Sequence, residues 1–159
     1  MNRNKDAHSL DETDRKILRL LRDNCHLTTQ EIAEKVGLSQ TPCWSRIKRM
    51  EEAKVITGYV ALLDPEKIGR PLTVIVEVNL EHHDDEKIEN FSRHLAQLSE
   101  VTDAYLTTGE YDYVIMAAVE NTEDYESFLR KKLLKFPGIR HTRSTFCLRR
   151  LKRDPSPSI

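Results

Sequence analysis

The stretch Thr28–Glu52, TTQEIAEKVGLSQTPCWSRIKRMEE, holds two short helical patterns divided by a glycine. Thr28 and Glu31 form a capping box, in which each side chain meets a backbone N–H of the opening turn. Ile32 and Val36 then face one way, and Gly37, Leu38 and Ser39 interrupt the pattern. Beyond them Cys43, Ile47 and Met50 recur at the spacing of a buried helical stripe. Two short helices joined by a tight Gly-containing turn are the sequence form of a helix-turn-helix. The start of the second helix has two readings. Ser39 caps it, with Pro42 tolerated in the first turn, or Thr41 caps it, because a residue before proline resists the α conformation.

Working outward, DETDRKILRLLRDN (11–24) predicts a preceding helix with acidic residues at its start and an apolar stripe of Ile17, Leu20 and Leu21. Once Cys43, Ile47 and Met50 dock on these two helices, the remaining side chains form a surface. Polar residues near the helix start suit base edges, and cations further along suit phosphates. The candidate DNA contacts are therefore Ser39, Gln40, Thr41, Trp44, Ser45, Arg46, Lys48 and Arg49, with Glu51 and Glu52 held away from the duplex. The competing reading is a solvated basic face on a structural helix. Trp44 either seals the edge of the three-helix core or touches the DNA backbone.

After residue 55 the period changes. VITGYVALLDPEKIGRP (55–71) reads as a connecting strand and hinge, with a turn at Asp64-Pro65 and a break at Gly69 and Pro71. LTVIVEVNL (72–80) is a strand, and residues 84–100 a helix with Ile88, Phe91, Leu95 and Leu98 on one face. A hairpin turns around Gly109, a second amphipathic helix runs to Pro137-Gly138, and IRHTRSTFCLRRLK (139–152) closes as a strand. This β-α-β-β-α-β order is the ferredoxin-like arrangement. The fold class is thus α+β, a three-helix helix-turn-helix domain followed by a ferredoxin-like domain. The expected boundaries are a flexible N-terminus at 1–9, a DNA-binding domain at 10–57, a hinge at 58–71, a sensing and oligomerisation domain at 72–151 and a flexible tail at 152–159.

In YVIMAAVE (113–120) both faces of the strand are apolar. Two helices cover only one face of a four-stranded sheet, so the other predicts a partner, most simply a second copy about a two-fold axis. A lone small domain with a thin core is the competing reading.

Hydrophobic residues make up 38% of the chain and charged ones 32%, with a net charge of -1, so nucleic-acid binding must rest on where charge lies. Residues 1–60 carry +2 and residues 61–159 carry -3. No signal peptide and no membrane-spanning run is visible, which makes the cytoplasm the expected compartment. Cys25, Cys43 and Cys147 lie far apart without a C-x-x-C pair and indicate neither disulfides nor zinc, with Cys43 expected in a core. His82, His83, Asp84 and Asp85 could hold a metal, but adjacent residues diverge in direction, and Asp84 or Asp85 more simply caps a helix. No nucleophile elbow, P-loop, dinucleotide fingerprint or H-E-x-x-H is present, so neither an enzyme nor a cofactor is expected.

LDETDRKILRLL, TTQEIAEKVGLSQTPCWSRIKRMEEAKVITGY, LLDPEKIG, TTGEYDYVI and FPGIRHTRSTF, taken in order, resemble the leucine-responsive regulatory protein/AsnC family, or feast/famine regulators, over roughly residues 10–151. The resemblance implies an N-terminal DNA-binding domain, a hinge strand, and a ferredoxin-like domain that dimerises and often assembles dimers into octamers. It also implies an effector, typically an amino acid. The family's recognition helix falls on Gln40–Ala53, and its ligand loop on Thr108, Gly109, Glu110, Tyr111 and Asp112, with Ser144 and Thr145 on the last strand. Gln40 stands where many relatives have proline, and Trp44 where many have a smaller residue. An Asp112 carboxylate could pair with an effector's ammonium while N–H groups beside Gly109 meet its carboxylate. Alternatively Gly109 supplies a positive φ in a turn and Asp112 satisfies local backbone donors.

Two functions follow: a regulator that binds double-stranded DNA under control of a small molecule, or a ferredoxin-like small-molecule-binding or enzymatic protein whose helical N-terminus contacts other proteins.

Overall fold

Helix α1 (Glu12–Asp23) begins where Asp11 and Asp14 cap each other, Asp14 N donating to Asp11 Oδ1 at 2.8 Å and Asp11 N to Asp14 Oδ2 at 3.2 Å. The computed structural model describes residues 10–81, 85–154 and 156–159. Contacts divide the chain into two units, one reaching to Ala61 and including Arg153–Ile159, the other Leu62–Lys152.

In the first unit, α2 (Thr29–Val36) carries the expected capping box, with Glu31 N donating to Thr28 Oγ1 at 3.2 Å and Thr28 N to Glu31 Oε2 at 2.7 Å. The Thr28 N–H, followed by the Thr28 hydroxyl, holds the Glu31 carboxyl below its ordinary value. Gly37 ends the helix at φ 72, a left-handed conformation that a side chain would strain by about 1 kcal/mol. Helix α3 (Gln40–Glu52) follows with Ser39 in the N-cap position, Thr41 already inside and Pro42 in the first turn. The first of the two readings of its start is the one realised, because proline lacks only an N–H that the first turn leaves unpaired.

The core of this unit is Ile17, Leu18, Ile32, Ala33, Cys43 and Met50, with Leu20, Leu21, Val36 and Ile47 packed around it. Leu18, outside the expected α1 stripe, is more deeply buried than Leu20 and Leu21, because α1 meets two helices on adjacent sides. Burial pushes the Cys43 thiol up. Residues 53–71 contain no strand, and Val60, Leu62 and Leu63 are exposed. The connecting strand expected there is not formed in the single chain: a strand is held by ladder bonds, and among the described residues this segment joins no sheet.

The second unit contains β1 (Leu72–Leu80), α4 (Asp85–Ala96), β2 (Val101–Leu106), β3 (Tyr113–Val119), α5 (Thr122–Lys131) and β4 (Ile139–Phe146). The sheet runs β2-β3-β1-β4 with every neighbouring pair antiparallel, which is the ferredoxin-like order. Strict alternation puts Val74, Val76, Val78, Tyr113, Ile115, Ala117 and Val119 beneath the helices, where Phe91, Leu95, Tyr125 and Phe128 close the core. Ile75, Val114, Met116 and Ala118 occupy the opposite face, half-buried, and Tyr105 joins them from β2, opposite Val114 and exposed.

Two elements are shorter than expected. Helix α4 ends at Ala96 instead of 100, although Leu98 still packs on the core. Strand β4 ends at Phe146 because β1 starts at Leu72, so the ladder runs out after Cys147 N donates to Thr73 O at 2.9 Å. Leu148 and Leu151 are left exposed. His82, His83 and Asp84 lie outside the described residues, and Asp85 is the first residue of α4. Among the described residues no cluster of His, Cys, Asp or Glu is placed to hold a metal, and no helix is long and apolar enough to cross a membrane.

Candidate nucleic-acid interface and effector loop

The eight residues singled out on and before α3 separate into two groups. Gln40, Thr41, Trp44, Ser45 and Lys48 are exposed, and Ser39 is exposed with no cap hydrogen bond from its side chain. Lys48 Nζ sits 4.9 Å from the centre of the Trp44 ring and 4.0 Å from Glu52 Oε1, so its ammonium is held over the helix surface. Trp44 itself is 52% exposed and outside the buried core cluster, which removes the reading in which it seals the three-helix core.

Arg46 and Arg49 pair with α1, although Arg49 is itself exposed. Arg46 Nη1 donates to Asp11 Oδ2 at 2.6 Å and Asp14 Oδ1 at 2.9 Å, while Arg49 Nη2 donates to Asp14 Oδ2 at 2.7 Å. Asp14 is 1% exposed, so its carboxylate is a buried charge satisfied by α3. The hydrogen bonds to Asp11 and then Asp14 raise Arg46 above its ordinary value; the Asp14 N–H, followed by Arg46, holds the Asp11 carboxyl down. These two arginines lock α3 onto α1. The sequence gives Asp11 and Asp14 only their favourable place at a helix start; the pairing with α3 arises from docking.

In the second unit, Thr108, Gly109 and Glu110 form the exposed tip of the β2–β3 loop. Gly109 has φ 144, a region that favours glycine. Asp112 ties the loop base to β1: its N–H donates to Asn79 Oδ1 at 2.9 Å and Val78 O at 3.1 Å, and its Oδ2 accepts from Leu80 N at 2.8 Å. That is the backbone-satisfying role weighed for it from sequence. Tyr111 is buried at the loop base, stacked against His141 at 6.1 Å, with the Arg143 guanidinium 4.9 Å from its ring centre. Arg143 in turn pairs with Glu77 through Nε–Oε2 at 2.5 Å and Nη2–Oε1 at 2.9 Å, which raises it above its ordinary value. Asn79, Glu77, His141 and Arg143 thus belong to this neighbourhood, and the sequence reading named none of them.

Ser144 and Thr145 lie on opposite faces of the sheet. Ser144 pairs across to Val76 on the helix-covered face, where its hydroxyl meets the Tyr125 hydroxyl, and Thr145 lies opposite Ile75 on the open face. Strand alternation, available from the sequence, demands this separation.

Residues 10–57 match the model for winged helix-turn-helix DNA-binding domains, and residues 73–157 match the model for the Lrp/AsnC ligand binding domain. The chain belongs to the Lrp/AsnC family. It is 39% identical over 150 residues to the DNA-binding transcriptional activator DecR of Escherichia coli K12, covering 94% of this chain and 99% of that one. The leucine-responsive regulatory protein of Haemophilus influenzae is 38% identical over 91% of this chain and 87% of its own. An AsnC family regulator from Agrobacterium tumefaciens superposes with a TM-score of 0.88 at 37% identity over 92% of this chain and 95% of that chain. A Neisseria meningitidis transcriptional regulator solved with L-Met gives 0.87 at 33% identity, over 94% and 96%. This Lrp/AsnC protein is a DNA-binding transcriptional regulator with a separate ligand-binding domain.

Proposed function

We propose that this regulator reads operator DNA through Gln40, Thr41, Trp44, Ser45 and Lys48, supported by Ser39, and that an amino acid at the 108–112 loop changes its assembly or DNA affinity. The observation that carries the first part is the division of α3: Cys43 and Met50 docked, Arg46 and Arg49 paired with Asp14, and the remaining face exposed. Residues 10–57 serve as the DNA-binding domain, 58–71 as the hinge and 72–151 as the sensing domain, acting in the cytoplasm without an enzymatic step.

The half-apolar sheet face of Ile75, Val114 and Met116 supports a dimer about a two-fold axis, with dimers assembling further toward an octamer. Such a dimer presents paired α3 helices to successive major grooves about 34 Å apart. The effector is a molecule with both an ammonium and a carboxylate. Loop N–H groups at Thr108–Glu110 and the charged set Glu77, Arg143 and Asp112 are the chemistry that would receive it.

Mobility shifts across a salt series test the DNA reading, with log affinity expected to fall linearly with log salt. Thermal-shift screening against the common amino acids, L-Met among them, followed by sedimentation with any hit, tests the effector reading. No shift with any amino acid would refute it.

A further inference from the structure

Trp44 is the chain's only tryptophan, and more than half of it is exposed. An aromatic ring of this size normally recovers its solvation cost by burial, and one left on a polar helix surface marks a contact yet to be made. Its neighbours on that surface are Thr41, Ser45 and Lys48, all exposed, while Cys43 beside it is fully buried. Lys48 covers the ring from one side, so its ammonium travels with the indole.

A phosphate can accept from the indole N–H but offers nothing to the apolar ring. The apolar group presented by base edges in the major groove is the thymine C5-methyl. Gln40, Thr41 and Ser45 supply the hydrogen-bonding readers on the same surface; Trp44 supplies the apolar one. On the reading of α3 as the recognition helix, we infer that Trp44 packs against a thymine methyl, so that each operator half-site carries thymine at one fixed position, with Lys48 meeting the adjoining phosphate.

The test uses the full-length protein and duplex DNA selected by it from a random-sequence pool. Each thymine is replaced singly by uracil, which removes only the methyl. Uracil at one position per half-site is expected to weaken binding about fourfold, the worth of one buried methyl. Trp44→Ala should weaken binding to the thymine duplex and be indifferent to uracil there, and Trp44→Phe should retain part of the preference. Tryptophan emission should change on the selected duplex.

Uracil that is neutral at every position, or a uracil effect that persists in full in Trp44→Ala, overturns the assignment. If Trp44→Ala fails to fold, the wild-type uracil series and Trp44→Phe still decide it. A selection that yields no preferred sequence defeats the recognition-helix reading itself, whereas clear selection with neutral uracils defeats only the role of Trp44.

Discussion

Arg49 on α3 donates to Asp14 on α1 at 2.7 Å, across 35 positions of sequence, and Asp14 is 1% exposed. The same carboxylate takes Arg46 at 2.9 Å and closes the α1 capping box through Asp11 N. One buried charge therefore fixes both where α1 begins and how α3 lies on it.

Asp14→Ala removes the cap partner and leaves two guanidiniums without their shared acceptor. Both arginines are partly exposed and can turn to water, so the expected loss is about 2 kcal/mol, below the full cost of breaking a buried pair. Urea unfolding reads this as a lower midpoint at constant slope. An unchanged midpoint would show that the pairing does not hold the helices together.

Lys48→Ala and Arg49→Ala should behave differently although both remove a cation from α3. Lys48→Ala is expected to leave the melting temperature unchanged and to reduce the salt slope of DNA binding by about 0.9, one phosphate contact. Arg49→Ala is expected to lower stability first, since Asp14 loses a partner. Equal salt slopes in wild type and Lys48→Ala would exclude Lys48 from the phosphate contact.

Asp112→Ala removes the carboxylate that accepts from Leu80 N, for an expected cost of about 1 kcal/mol. It should also abolish any rise in melting temperature produced by an amino acid. A variant that is destabilised yet responds in full would confine Asp112 to its structural role.

The acid side of the stability curve follows from Asp11 and Glu31, both held below their ordinary values by backbone N–H groups at helix starts. A lowered folded-state value means that the contribution is present above the ordinary carboxyl range, near 3.8 for Asp11 and 4.5 for Glu31, and is lost as pH falls through the lowered values. Urea midpoints should drop on acidification below about pH 4.5, and less steeply in Asp11→Asn and Glu31→Gln. Equal slopes in all three proteins would contradict this account.

Met116→Glu places a charge on the open sheet face without touching the helix-covered core. Sedimentation velocity should then report a smaller species than wild type with unchanged far-UV circular dichroism. No change in size would remove this face from the assembly contact.

Local periodicity in the sequence was enough for the order of the three N-terminal helices and of the βαββαβ elements, though not for the segment between them, because a 3.6-residue stripe in α3 and a two-residue alternation in β1 and β3 are each written in adjacent residues. The capping box at Thr28 and the glycine ending α2 were legible for the same reason: their partners lie within four positions. Strand ends were not. Where β4 stops depends on where β1 begins, a fact held more than 70 positions away.

The site divides along the same line. Which residues of α3 could face outward is a matter of helical phase and is fixed by the order of the amino acids alone. Which partners those cations take within the chain was decided by tertiary structure, since Arg46 and Arg49 pair with a carboxylate that only the docking of α1 brings within reach. Likewise Arg143 meets Glu77 and Tyr111 only because β4 pairs with β1 in one register, and charge pairing over that distance depends on geometry that local pattern does not encode.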